Sequence, residues 1–229
     1  MNDGERGLLR WGGLAGVLGA IFLVLTAVTL FGFVPSAPAD PRALVARYPD
    51  IRTANAVGES FNFVSVVFSV VFYLALYRAL RRSSLAPAQW GTALSFLGLA
   101  VLALEMVPRV AFSRISDLYH APGASLQDQA TLALVWETTQ GLFAEFDTAA
   151  TIFLTAGYVL LGIAMLRSPA FGNRFGGITM MLGLIGLVGV GVLGISSIFF
   201  AGIGLFVLIV LPVVLGLKIY GLSRATSEP

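Results

Sequence analysis

The chain has 229 residues, 57% of them apolar and only 11% charged, with a mean hydropathy of +0.89; a soluble domain carries about a quarter of its residues as Asp, Glu, Lys or Arg. Fourteen Lys and Arg stand against 12 Asp and Glu, a formal net charge of +2, and there is no cysteine. This balance excludes a disordered chain, a nucleic-acid binder, a disulfide scaffold and cysteine-based chemistry, and it leaves a polytopic membrane protein.

A helix needs roughly 20 mostly apolar residues to cross a ~30 Å hydrocarbon layer. Six stretches meet that requirement, near 11–34, 60–80, 88–108, 146–166, 174–194 and 197–218. The expected fold is all-α, a single six-span transmembrane bundle over 1–229, because lipid tolerates no open sheet edge.

The first span, Gly12 to Val34, is too long for the apolar region of a signal peptide, about 7–15 residues, so Ala37-Pro38-Ala39 is read as a linker and the span as retained. Gly12, Gly16 and Ala20 on it form a small-xxx-small series that lets another helix approach closely. Beyond it, Asp40-Pro41 is an N-cap and first-turn pair for a short surface helix through Arg47, with Pro49-Asp50 starting another.

In the second span and its approach, Arg52, Asn55, Glu59, Asn62, Ser65, Ser69 and Tyr73 recur at steps of three and four, one face of an α-helix. The third span carries Ser95, Gly98, Glu105 and Arg109 in the same way. A hydrophilic segment then runs from Arg109 to about Gln129 and holds the Ala121-Pro122-Gly123 turn. The fourth span carries Glu137, Gln140, Asp147, Thr151, Thr155 and Tyr158. Helical character from 129 to 166 would extend ~57 Å, so this helix must project outward, kink near Gly141 or begin with an interfacial piece. The fifth and sixth spans are Gly-rich and almost uncharged.

Arg6, Arg10, Arg78, Arg81, Arg82, Arg167, Arg174, Lys218 and Arg224 place nine basic residues on one side, against five on the other, Arg42, Arg47, Arg52, Arg109 and Arg114. Basic residues are retained in the cytoplasm, so both termini are expected there.

Polar faces in lipid turn towards one another, which predicts an outward-opening polar cleft between the second, third and fourth spans. Its candidate ligand-binding residues are Glu59, Asn62, Glu105, Arg109, Glu137, Gln140 and Asp147, with the charged ones at the outer rim of the hydrocarbon. Glu105 and Arg109 are i and i+4, a spacing that pairs locally whatever the function, so a structural ion-pair network is the competing reading.

None of the common metalloprotease, phosphate-loop, serine-hydrolase or magnesium-diphosphate motifs occurs. His120 is the only histidine and sits in a turn, and Lys218 is the only lysine and sits at the end of the last span. No metal site and no cofactor are expected.

The Arg10-Trp11-Gly12-Gly13 entry to the first span, the acidic, Pro-containing outer loop, Leu76-Tyr77-Arg78-Ala79-Leu80, the Glu105 to Arg109 region and Gly176-Gly177 together resemble a bacterial family of six-helix membrane proteins catalogued as domain of unknown function 4386. The resemblance implies a bacterial cytoplasmic (inner) membrane and carries no activity with it. The expected partners are membrane lipids and a small ligand, lipid headgroup or cation that is bound or transported. Two other readings stay open: an intramembrane enzyme using Glu105 and Asp147 on a lipid-like substrate, and a structural subunit that docks a membrane protein or a second copy through its Gly-rich helices.

Overall fold

The computed structural model describes residues 3–33, 40–193 and 198–225. Among them are seven helices and no strand: α1 (Asp3–Phe33), α2 (Pro41–Leu80), α3 (Leu85–Leu104), α4 (Met106–Tyr119), α5 (Leu126–Leu166), α6 (Gly172–Leu193) and α7 (Ile198–Ala225). Six crossings are long and apolar enough to span a membrane, with α3 and α4 forming one of them. Val34, Gly194 and Ser197, at the expected ends of three spans, and the linker Ala37–Ala39 lie outside the described residues.

The Arg-rich end of α2, the start of α1 and the end of α7 share one end of the bundle. Glu5 of α1 accepts hydrogen bonds from Arg78 at 2.6 Å and from Arg82 at 3.0 Å, and α7 returns to the same level, where Tyr220 packs against Gly13. A reporter inserted near Ser83 and one fused after Pro229 are therefore expected on one side of the membrane and one near Pro122 on the other. Agreement of the Pro122 reporter with the other two in a fusion or thiol-labelling assay would overturn the span count.

Two helices are far longer than a bilayer. α2 has 40 residues and α5 has 41, ~60 Å each at 1.5 Å per residue, about twice the hydrocarbon thickness. Their excess projects from the end opposite the termini, where α4 joins them. The apolar interior accordingly divides in two. The main core includes Phe72, Leu76, Leu161 and Leu215 from α2, α5 and α7. A second core joins Val45 and Tyr48 of α2 to Ile115 of α4 and Trp136 of α5.

This outer core explains three departures from the expected elements. The two short helices around Pro49 are one continuous helix. Pro49 withholds an N–H from the Val45 carbonyl, at a local cost, but Val45 and Tyr48 before it and Ile51 after it all pack into the same cluster, which holds the segments in line. Asp40 does cap this helix, accepting from Arg42 N at 3.0 Å. The hydrophilic segment after Arg109 is not an extended loop: residues 106–119 form α4, whose Ala111, Phe112, Ile115 and Tyr119 supply an apolar face at helical spacing to the outer core. The break before α4 falls where Pro108, lacking an N–H, cannot bond the Leu104 carbonyl, so α3 ends at Leu104. Finally, α5 runs unbroken through Gly141, so its extra length is projection. A reciprocal Ser125–Asp128 capping box starts it, after a turn in which Gly123 takes φ +87°, open only to residues without a Cβ penalty.

Small residues set the helix contacts. A Cβ on Gly12 would stand 2.0 Å from the Ala75 Cβ, one on Gly162 would stand 2.5 Å from Met180 N, and one on Gly176 would stand 2.6 Å from Leu166 N. Gly91 of α3 and Gly157 of α5 face each other in the same manner. These glycines of α1 and α6, read from the sequence as points of close helix approach, meet helices of their own chain. The outward faces carry the lipid-facing apolar residues, and Trp11 and Trp90, both about two-thirds exposed, stand near the end that holds the termini, as interfacial tryptophans do.

Candidate functional site

On three helices the charged side chains occupy the interval between the two cores. In α2, Glu59 lies between Ile51 of the outer core and Val66 of the main core; across the α3–α4 junction, Glu105 and Arg109 lie between Leu102 and Ala111; in α5, Asp147 lies between Trp136 and Leu154. Each helix is apolar on both sides of its charged residue, so the charges meet one another at the seam.

Arg109 ties the seam together. Its Nη2 donates to Glu105 Oε1 at 2.8 Å, its Nη1 pairs with Glu59, and its guanidinium lies 3.9 Å from the centre of the Phe143 ring. One planar, always-charged side chain thus connects α2, α4 and α5, a geometry that suits Arg and not Lys. Glu105 is only 2% exposed. Asp147 adds a third carboxylate within electrostatic reach of Glu105 and Arg109.

Directly above this cluster a cavity of about 800 Å³ opens between α2, α4 and α5. Glu59 and Arg109 form part of its wall, and Asn55 and Gln140 add neutral polar groups. Most of the wall is apolar and much of it aromatic, with Tyr48, Phe63, Phe112, Trp136 and Phe143. The Glu59 carboxylate is engaged by Arg109, and the indole N–H of the buried Trp136 has no hydrogen-bond partner among the described residues.

Of the residues singled out from the sequence, Glu59, Glu105 and Arg109 are in direct contact, Asp147 is beside them, and Gln140 lines the cavity. Asn62 does not. It lines a separate pocket of about 50 Å³ with Ser65, Ser69, Tyr73 and Tyr158, deeper in the bundle. Glu137 is exposed on the outer surface. The reason is the same in both helices: residues at i+3 and i+4 compete for one face, and the cavity takes Phe63 in place of Asn62 and Trp136 in place of Glu137. The face Trp136, Gln140, Phe143, Asp147 runs at steps of four, three and four, a signal a search for polar residues alone passes over.

The chemistry the site can perform is bounded by this arrangement. An occupant of the cavity meets Glu59, whereas Glu105 is not part of the wall, so a reaction on a cavity-bound substrate has no direct access to the expected Glu105–Asp147 pair. The Arg109 guanidinium stands between Glu59 and Glu105, where a small cation would have to sit. Among the described residues no three of His, Cys, Asp and Glu gather to hold a metal ion. His120 is exposed at the end of α4, its Nδ1 2.8 Å from the Ser116 carbonyl. No family model, no curated protein and no solved structure matches this chain, and the geometry of the cavity and its charged floor is what remains to assign a function.

Proposed function

We propose that the protein is a membrane-embedded binding protein whose cavity between α2, α4 and α5 holds a small, largely apolar ligand, either retained or passed across the membrane. The single observation that carries this reading is the cavity itself: about 800 Å³ falls within the ~300–1,000 Å³ of small-molecule sites, and a mostly apolar wall with a few convergent polar groups is their usual lining. The arginine-centred network beneath it is the rigid floor of the site. In the same proposal the cavity faces outward from a bacterial cytoplasmic membrane, supported by the basic count on the terminus-bearing side and by the resemblance to the six-helix family.

The test fills the cavity without touching the floor. Ala56 lines the wall and is exposed, so Ala56→Phe is expected to leave thermal stability in detergent within about 0.5 kcal/mol of wild type while occluding the space. Mass spectrometry of small molecules extracted from the two purified proteins should then show at least one apolar or amphipathic compound retained by wild type and depleted in the variant. Identical extracts, at equal protein and detergent, would remove the binding reading.

A further inference from the structure

Charge is not spread evenly over the half of the protein that holds the cavity. That half carries the nine carboxylates found between residues 40 and 147 and the five arginines Arg42, Arg47, Arg52, Arg109 and Arg114. The cavity wall inverts this balance, taking Arg47, Arg52 and Arg109 and, among the described residues, only one carboxylate, Glu59. Glu59 and Arg109 pair with each other, and both carboxylate oxygens of Glu59 are buried, so the charge an occupant meets is that of Arg47 and Arg52. Arg47 has a contact within the chain and adds its charge. Arg52 adds donors as well. Among the described residues its one hydrogen bond runs from Nη1 to Asp117 at 2.8 Å, out of a guanidinium with five N–H donors, and Asp117 is not part of the wall. Both side chains of that pair are about half exposed, and exposed pairs are weak, so an anion can bind beside Asp117 or in its place.

The cavity is long, and the two arginines stand towards one end of it. Its wall follows α2 from Leu44 to Val64, ~30 Å at 1.5 Å per residue. Arg47 and Arg52 lie in the outer part, on either side of Tyr48 and Ile51 of the outer core. The inner end is apolar, with Phe63, Val64, Met106 and Val110. Phe63 and Val110 are also exposed on the bundle surface, Val110 at the depth of the charged seam and Phe63 a helical turn further in, where the surrounding solvent is hydrocarbon. Resting on the cavity reading above, we infer that the ligand class is a single-chain amphipathic anion that enters from the membrane, its acidic head at Arg52 and Arg47 and its chain running inward past the Glu59–Arg109 pair to Phe63 and Val64. The orientation is that of a lipid in the adjacent leaflet, head towards water and chain towards the midplane, so the cavity and the bilayer present the same polarity to it.

The probes are two hexadecyl chains, each with a diazirine near its free end, one headed by a sulfonate and the other by a trimethylammonium, so that length and photochemistry match while the charges are permanent and opposite. Each is titrated at low mole fraction into the full chain in nanodiscs of zwitterionic phosphatidylcholine, and adducts on cavity-wall residues of α2, α4 and α5 are quantified by peptide mass spectrometry. Labelling that persists in Ala56→Phe is subtracted as background. The expected result is saturable labelling by the sulfonate, concentrated at the inner end, with half-saturation at least about tenfold lower than for the ammonium, the size of one charge-assisted contact. The double variant Arg47→Gln, Arg52→Gln should lose that preference, and a preference that survives it overturns the placement of the head. Equal labelling by both probes, or preference for the ammonium, overturns the anion class and leaves the cavity as a ligand site. Methanesulfonate in large excess, a head without a chain, should not compete; competition by it would make the ligand a water-soluble anion and overturn entry from the membrane. Saturable labelling by neither probe above the Ala56→Phe background overturns the anion class and the cavity reading together. Should the double variant fail to fold, the comparison of the two probes on the unaltered cavity still decides.

Discussion

Arg109→Met is expected to be the most damaging single charge removal in this protein, lowering stability in detergent by ~3–5 kcal/mol. The substitution keeps a long side chain over Phe143 and deletes only the guanidinium, leaving Glu59 and the 2%-exposed Glu105 facing each other with Asp147 nearby and no cation among them. The loss reflects uncompensated buried charge, so it should be partly reversed by adding Glu59→Gln and Glu105→Gln, which remove that charge. Arg109→Lys should fall in between, because one ammonium cannot present a planar fork to two carboxylates and a face to Phe143 at once. The comparison is Arg52→Met. Arg52 also makes a 2.8 Å ion pair, with Asp117, but both side chains are about half exposed, and solvent-screened pairs contribute only ~0–1 kcal/mol. Equal losses for Arg109→Met and Arg52→Met in thermal or denaturant unfolding would mean that the seam is solvated and forms no rigid floor.

Gly12→Leu and Gly16→Leu are expected to have the largest packing effects. α1 is wedged between α2 and α7. A Cβ at Gly12 would lie 2.0 Å from that of the fully buried Ala75, and one at Gly16 would lie 2.7 Å from the Phe72 ring and 2.8 Å from the Pro212 carbonyl oxygen. No rotamer relieves a clash at the Cβ itself, and two of the obstructing atoms belong to backbone or a short side chain, so the helices must separate. Overpacking of this kind costs typically ~1–3 kcal/mol and occasionally more, and here the upper end or beyond is expected. Gly177→Leu is the internal control. Nothing lies within 4 Å of its Cβ position, and Leu is a better helix former than Gly by several tenths of a kcal/mol, so this variant should be neutral or slightly more stable. Adding Ala75→Gly to Gly12→Leu should recover part of the loss. The readout is the unfolding midpoint in detergent, and a Gly12→Leu protein as stable as Gly177→Leu would show that α1 does not pack on α2 at this register.

These two experiments address different layers of the molecule. The glycine series reports on the membrane bundle, whose helices approach through backbone contacts, because lipid gives apolar side chains no reason to leave it for one another. The arginine series reports on the seam, where burial makes a polar network costly to leave incomplete.

The sequence by itself determined the features that depend on runs and local spacing. Six apolar stretches of bilayer length predict six crossings, and the six helices long and apolar enough to span a membrane follow them, because the cost of exposing backbone to hydrocarbon allows no other element there. The i, i+4 relation of Glu105 and Arg109 and the N-cap at Asp40 are equally local, and both interactions are present. Tertiary structure alone decided whatever depends on how far each helix is rotated about its own axis. A polar stripe at steps of three and four leaves adjacent positions nearly equivalent, and only packing against α4 turned Phe63 and Trp136 into the cavity while leaving Asn62 to a deeper pocket and Glu137 to the surface. The outer core was likewise hidden. Val45, Ile115 and Trp136 are separated by 70 and 21 residues, the first two sit in segments that read as polar, and only the convergence of all three carries α2 through Pro49 and folds 106–119 into a helix. Local pattern fixes how many helices cross the bilayer, because the solvent imposes that helix by helix; which residues share a cavity is set by contacts between helices, which no single helix encodes.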